Sequence, residues 1–91
     1  MTKTQAQKIT KALGDPMRFE IFRRIAQDDE LACSVLKTKL PITAATLSHH
    51  IKELTESGLI TCRQQGKYSY LTAHRPAWRA YLRNLKNIVQ K

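Results

Sequence analysis

The sequence predicts a mainly α-helical fold interrupted by one β-hairpin, in the order helix, helix, helix, helix, hairpin, helix. Three observations lead there. Apolar residues recur at helical spacing along most of the chain, the period changes to strand-like alternation only between Leu59 and Thr72, and helical spacing resumes after Pro76. The chain is 91 residues long, which suits one compact domain spanning 1–91; two domains would leave neither half a proper core. Charged residues make up 25% and hydrophobic residues 42%, ordinary globular values that argue against wholesale disorder.

The elements follow in order. Thr4 to Gln7 reads as a Ser/Thr-x-x-Glu/Gln capping box opening a first helix over about 4–13, with Ile9, Ala12 and Leu13 at helical spacing and Gly14 as its stop. Asp15 and Pro16 restart the helix, one as a cap and the other at the first helical position; Met17, Ile21, Phe22 and Ile25 form its apolar stripe. A short third helix is expected from about Glu30 to Lys39, with Leu31, Val35 and Leu36 inward and Pro41 closing it. The fourth helix begins at Thr43 and ends at Gly58. Ile42 and Leu47 are spaced as a hydrophobic staple, and Leu47, Ile51 and Leu54 fall within about 60° of one another on its core face.

Between Leu59 and Thr72, Ile60, Cys62, Tyr68 and Tyr70 favour strands, and Gln65-Gly66 signals the turn of a hairpin. The last helix, over about 76–90, keeps Trp78, Tyr81, Leu82, Leu85, Ile88 and Val89 on one face and Arg79, Arg83 and Lys86 on the adjoining one.

Charge narrows the function. Sixteen Lys and Arg against seven Asp and Glu give a net charge of +9. Residues 1–56 contribute only +2, whereas residues 57–91 carry seven bases and no acid. A small chain polarised in this way is matched to a polyanion, nucleic acid first. No apolar run approaches the length of a membrane span, and the polar start has no signal-peptide core, so the chain is expected in the cytoplasm, away from membranes. Two cysteines, Cys33 and Cys62, make neither a disulfide framework nor a tetrahedral zinc site; Cys62 alternates with Ile60 and is expected to pack in the core. His49 and His50 are adjacent, point about 100° apart on a helix and cannot chelate from one face. There is no nucleophile–base pair, no paired carboxylates and no phosphate-cradling glycine loop, so neither catalysis nor a cofactor is expected.

The third and fourth helices, joined by a tight turn at Lys39–Thr43, read as a helix-turn-helix, and the basic hairpin that follows reads as its wing. The exposed face of the second helix, Ala45, Ser48, His49, Lys52 and Glu56 with Thr46 at its flank, then meets a major groove. Ala45 is suited to a thymine methyl group, Ser48 and His49 to base edges, and Thr43 and Lys52 to phosphates. Arg63, Gln65, Lys67 and Tyr68 of the wing can reach the backbone or the minor groove. The plainer alternatives are a solvated helix face and a solubilising charged turn.

Lys11 to Arg18 (KALGDPMR) resembles the ALxDPxR opening of the ArsR (arsenic-repressor) family of winged helix-turn-helix regulators. Thr46 to Leu54 and Ser57 to Ile60 are similar to that family's recognition helix and its exit, and Arg63 to Tyr70 to its wing. The resemblance implies a homodimer, formed mainly by the terminal helices, that represses transcription from an inverted-repeat operator on double-stranded DNA. Ile9, Leu13, Trp78, Tyr81, Leu82, Leu85, Ile88 and Val89 are the corresponding interface candidates. An exposed apolar stripe on a terminal helix needs a partner in any case. The family's metal-sensing Cys-x-Cys is here Ala32-Cys33-Ser34, and the last helix lacks paired His and acid, so no metal is expected. A redox switch at Cys33 and Cys62, as in some relatives, stays open beside the expected structural packing, and no residue here names a small-molecule effector. Two other readings stay open: a basic module docking an acidic protein, and a nonspecific nucleic-acid binder.

Overall fold

A computed structural model describes residues 1–89. Five helices and three short strands run in the order α1 (Lys3–Leu13), α2 (Pro16–Ala26), β1 (Leu31–Ala32), α3 (Cys33–Thr38), α4 (Ala44–Ser57), β2 (Ile60–Gln65), β3 (Tyr68–Ala73) and α5 (Arg75–Ile88). The expected ends at residues 90 and 91 lie outside the described residues.

Local chemistry explains the boundaries. The capping box of α1 is built by Thr2 and Gln5, not by Thr4 and Gln7: the Thr2 side chain accepts from the Gln5 amide and the Gln5 side chain accepts from the Thr2 amide. The same residue pattern occurs two positions earlier and starts the helix sooner. Asp15 caps α2, its Oδ2 accepting from the Arg18 amide at 2.8 Å, with Pro16 in the first helical position. Gly58 closes α4 at φ +89°, a left-handed cap that leads directly into β2.

The third helix is shorter than its sequence suggests. Leu31 and Ala32 form a strand, pairing with Leu71 and Tyr70 of β3, and the helix starts only at Cys33. Leu31 is buried through the sheet, and Val35, expected inside, is 43% exposed. Two residues are too few to show strand alternation, so a long-range pairing overrides the local helical pattern.

The sheet order is β1-β3-β2, all antiparallel. Register in the hairpin runs from Ile60↔Ala73 to Gln65↔Tyr68, leaving Gly66 and Lys67 as a two-residue loop in which Gly66 takes φ +61°. The core lies where α1, α2, α3 and α4 meet the inner face of this sheet. Ile21, Ile25, Leu36, Leu54, Leu59 and Leu71 are wholly enclosed there, and Trp78 and Tyr81 of α5 pack against the same cluster.

Candidate nucleic-acid interface

The second helix of the helix-turn-helix is oriented by its inner stripe. Leu47, His50, Leu54 and Ser57 are buried, and the complementary face, with Ala44, Ala45, Thr46, Ser48, His49 and Lys52, is exposed. Thr43 caps the helix through its side-chain oxygen, which accepts from the Thr46 amide at 3.1 Å and donates to the Thr46 hydroxyl at 3.0 Å. The first turn carries no acid, and its small residues leave the amide end open to an approaching phosphate.

His50 holds this helix to α2. Its Nδ1 accepts from Arg18 Nε at 3.3 Å, and its Nε2 stands 3.9 Å from Asp15 Oδ2. Arg18 also donates to the Ala12 carbonyl at 3.5 Å, so one guanidinium ties α1, α2 and α4 together. Burial pushes the His50 pKa below its ordinary value. The Asp15 carboxylate opposes this, while Arg18 and His49 add to it. An imidazole that accepts at Nδ1 is neutral, with its proton on Nε2 facing Asp15. Sequence reasoning passed over His50 as half of a failed chelate. The signal was its place in the 47-50-54 spacing, three residues after one buried leucine and four before another.

The wing begins where α4 ends. Its face opposite the core carries Arg63, opposite Tyr70 in the register, with the guanidinium 4.6 Å from the Tyr70 ring centroid. That guanidinium is engaged on two sides. It makes a forked pair with Glu30, at 2.8 and 3.2 Å, and donates to Gln65 Oε1 at 2.7 Å. The hydrogen bonds from Arg63 hold the Glu30 carboxyl below the usual range, and those to Glu30 push Arg63 up. Arg63 and Gln65 are therefore tied to each other and to the loop before β1. Lys67 and Tyr68 stand at the tip, with Lys67 Nζ 5.5 Å from the Tyr68 ring. All ten residues expected to meet DNA are exposed: Thr43, Ala45, Thr46, Ser48, His49, Lys52, Arg63, Gln65, Lys67 and Tyr68.

The cysteines divide differently from expectation. Cys33 is half-buried at the start of α3, where burial first and then Cys62 raise its thiol pKa. Cys62, expected in the core, is exposed. It stands opposite the enclosed Leu71, but β2 is the edge of the sheet and its inner face is only partly covered. Both thiols border an open cavity of about 400 Å³ that also touches Ser48 and Lys52 of α4. Among the described residues no group of three or more His, Cys, Asp or Glu could hold a metal ion.

The terminal helices share their apolar residues between two tasks. Trp78 lies against Phe22, ring centroids 5.3 Å apart, and the Tyr81 hydroxyl and Thr10 Oγ1 are hydrogen-bonded at 2.8 Å. Ile9 and Tyr81, expected at a subunit interface, are 1% and 6% exposed. They are enclosed in the chain's own core because α1 and α5 must first pack against each other and the body. Leu13 and Trp78 are partly buried on the same cluster. Leu82, Leu85, Ile88 and Val89 form the outward face, 40–74% exposed. No helix among the described residues is long and apolar enough to cross a membrane.

Comparison with known proteins gives a consistent picture. Residues 13–63 match the model of a helix-turn-helix domain family. An arsenical resistance operon repressor from Staphylococcus xylosus is 35% identical over 75 residues, covering 81% of this chain and 71% of that protein. Among solved structures, an ArsR-like transcriptional regulator from a Rhodococcus species superposes with a TM-score of 0.83 at 24% identity, over 93% of this chain and 79% of its own. A winged helix-turn-helix DNA-binding domain from Mycobacterium bovis, described as homodimeric, gives a TM-score of 0.75 at 22% identity, over 97% and 83% of the two chains.

Proposed function

The chain belongs to the ArsR family of helix-turn-helix transcriptional regulators, and from that premise we propose that it is a dimeric repressor reading an inverted-repeat operator through α4 and the wing. It is a DNA-binding regulator and not an enzyme, as its family is. The finer reading rests on one observation above others. A helix with a small, acid-free first turn and exposed Ala45, Ser48, His49 and Lys52 is anchored from behind by His50 and continues directly into a hairpin with no acid.

In this reading α4 enters the major groove. Ala45 and Thr46 allow close approach, Ser48 and His49 meet base edges, and Thr43 and Lys52 meet phosphates. Lys67 and Tyr68 at the wing tip reach the adjacent backbone or minor groove. Gln65 and Arg63 buttress them, and Arg63 reaches a phosphate itself only by releasing Glu30. Two copies joined through the outward faces of α5, with Leu82, Leu85, Ile88 and Val89 covered, would present two recognition helices to two half-sites. Leu13 and Trp78 border that interface rather than form its centre. The setting is cytoplasmic, and neither metal nor cofactor takes part.

The test is selection of bound sequences from a random duplex pool, in chelator and reductant at near-physiological salt. An inverted repeat with half-sites about one helical turn apart is the expected result, and the His49→Ala variant should recover a more degenerate one. Equal affinity for all duplexes would replace this reading with nonspecific nucleic-acid binding. No duplex binding at all would leave the acidic-protein partner.

A further inference from the structure

Away from the DNA-reading face, α2, the end of β3 and the first turn of α5 enclose a cavity of about 250 Å³. Phe19, Phe22, Ala26, Ala73 and Trp78 supply a mostly apolar lining, Gln27 adds an amide, and Arg23 and Arg75 are the charged groups at it among the described residues. Phe19 is 51% exposed, unusual for an aromatic residue with a hydrophobic hollow beside it. The two arginines are not equivalent. Arg23 is forked onto Glu20, at 2.8 and 2.7 Å, and is already neutralised. Arg75 donates to the Ala26 carbonyl at 3.1 Å and, among the described residues, has no carboxylate partner.

Arg75 also sits in the first helical turn of α5. That turn contains no acid, and His74 before it makes no side-chain cap hydrogen bond. The Arg75 guanidinium spends one donor on the Ala26 carbonyl and keeps others that favour an anion beside the helix start. An apolar floor beside them favours a hydrocarbon body. The volume falls below the roughly 300–1,000 Å³ of drug-sized ligand sites, so the occupant is small.

We propose that this cavity is a binding site for a small amphipathic carboxylate, an aromatic ring or short hydrocarbon chain bearing one acid group. The body lies between Phe19, Phe22 and Trp78, and the carboxylate meets Arg75. The site is independent of the DNA-reading assignment, because none of its lining residues belongs to α4 or to the wing tip.

Trp78 is the sole tryptophan, so its emission reports occupancy directly. The experiment titrates the intact protein, without DNA, with phenylbutyrate and separately with the uncharged phenylbutanol. Saturable change in Trp78 emission with phenylbutyrate is expected. Binding should weaken by about tenfold or more for phenylbutanol and for the Arg75→Gln variant, the scale of one charge-assisted contact. Ala26→Leu, which fills the hollow from its floor, should abolish the response while far-UV circular dichroism stays unchanged. Equal affinity for the alcohol, or an unaltered titration in Arg75→Gln or in folded Ala26→Leu, would overturn the proposal. So would the absence of saturation, including the case in which a second copy of the chain covers the cavity.

Discussion

Replacing Gly58 by alanine isolates the conformational cost of the junction between the recognition helix and the wing. Gly58 adopts φ +89° and ψ 0°, and a Cβ built there meets no atom within 4 Å. No steric term enters, so the penalty is the intrinsic cost of a left-handed L-residue, about 1–2 kcal/mol. Part of that is offset by the lower chain entropy of unfolded alanine, which leaves a net loss of about 1 kcal/mol. For a domain of this size the melting temperature should fall by about 4–8 °C. Gly14→Ala is the internal control. Gly14 has φ −72°, its added Cβ would sit 3.4 Å from the Lys11 and Thr10 carbonyl oxygens, and the change should be neutral or stabilising by up to about 1 kcal/mol. Thermal unfolding followed by circular dichroism measures both, and Gly58→Asn should recover part of the loss because asparagine tolerates this conformation better. If Gly58→Ala melted with the wild type, the left-handed cap would not be what glycine supplies there. A loss several times larger would mean that the new methyl group collides with something.

His50 makes stability depend on pH. Its folded pKa lies below the ordinary value of 6.5, so the unfolded chain binds the proton more readily and stability falls as pH drops through 6.5 towards the folded value. Denaturant midpoints measured across that window should show the slope in wild type and lose it in His50→Gln, whose amide can still accept from Arg18; an unchanged slope would assign the titration elsewhere. Lys67→Ala should weaken binding to every duplex alike and make the logarithmic salt dependence shallower by about one unit, as fluorescence anisotropy over a salt series would read. Glu30→Gln frees Arg63 and should strengthen duplex binding at low salt; weaker binding would show that the Glu30 clamp is needed to present the wing. Leu82→Asp with Leu85→Asp should yield monomers in light scattering, and a persistent dimer would move the interface away from α5.

Much of this was legible because helices announce themselves locally. Asp15-Pro16, Thr43 and Gly58 set boundaries by caps that need only neighbouring residues, and the alternation from Ile60 to Tyr70 marked the hairpin within one residue of its loop. The missed features depend on distant partners. Strand β1 exists only because Leu71 and Tyr70 come to meet it, and Cys62 is exposed only because β2 lies at the sheet edge. Arg63 was legible as a cation, but its engagement by Glu30, thirty-three residues earlier, was not. His50 was closer to reach, since helical spacing alone put it inward. The partners that make it tolerable there, Arg18 and Asp15, lie in the ALxDPxR-like segment, whose cap is legible locally but whose contact with His50, more than thirty residues on, is not.

The pairing of β1 with β3 has a kinetic consequence. The hairpin closes across two residues, whereas Leu31↔Leu71 closes a loop forty residues long for a ladder only two residues wide. Closing the longer loop costs more chain entropy and returns fewer hydrogen bonds, so the hairpin forms early and β1 docks onto its exposed edge afterwards. Because α3 starts immediately after β1, the first helix of the helix-turn-helix is among the last pieces to be located. During refolding, the Tyr70 amide, which faces β2, should therefore be protected before the amides of Leu71 and Leu31, which face each other between β3 and β1. A species with an intact hairpin and an unsettled helix-turn-helix would precede the form able to read DNA.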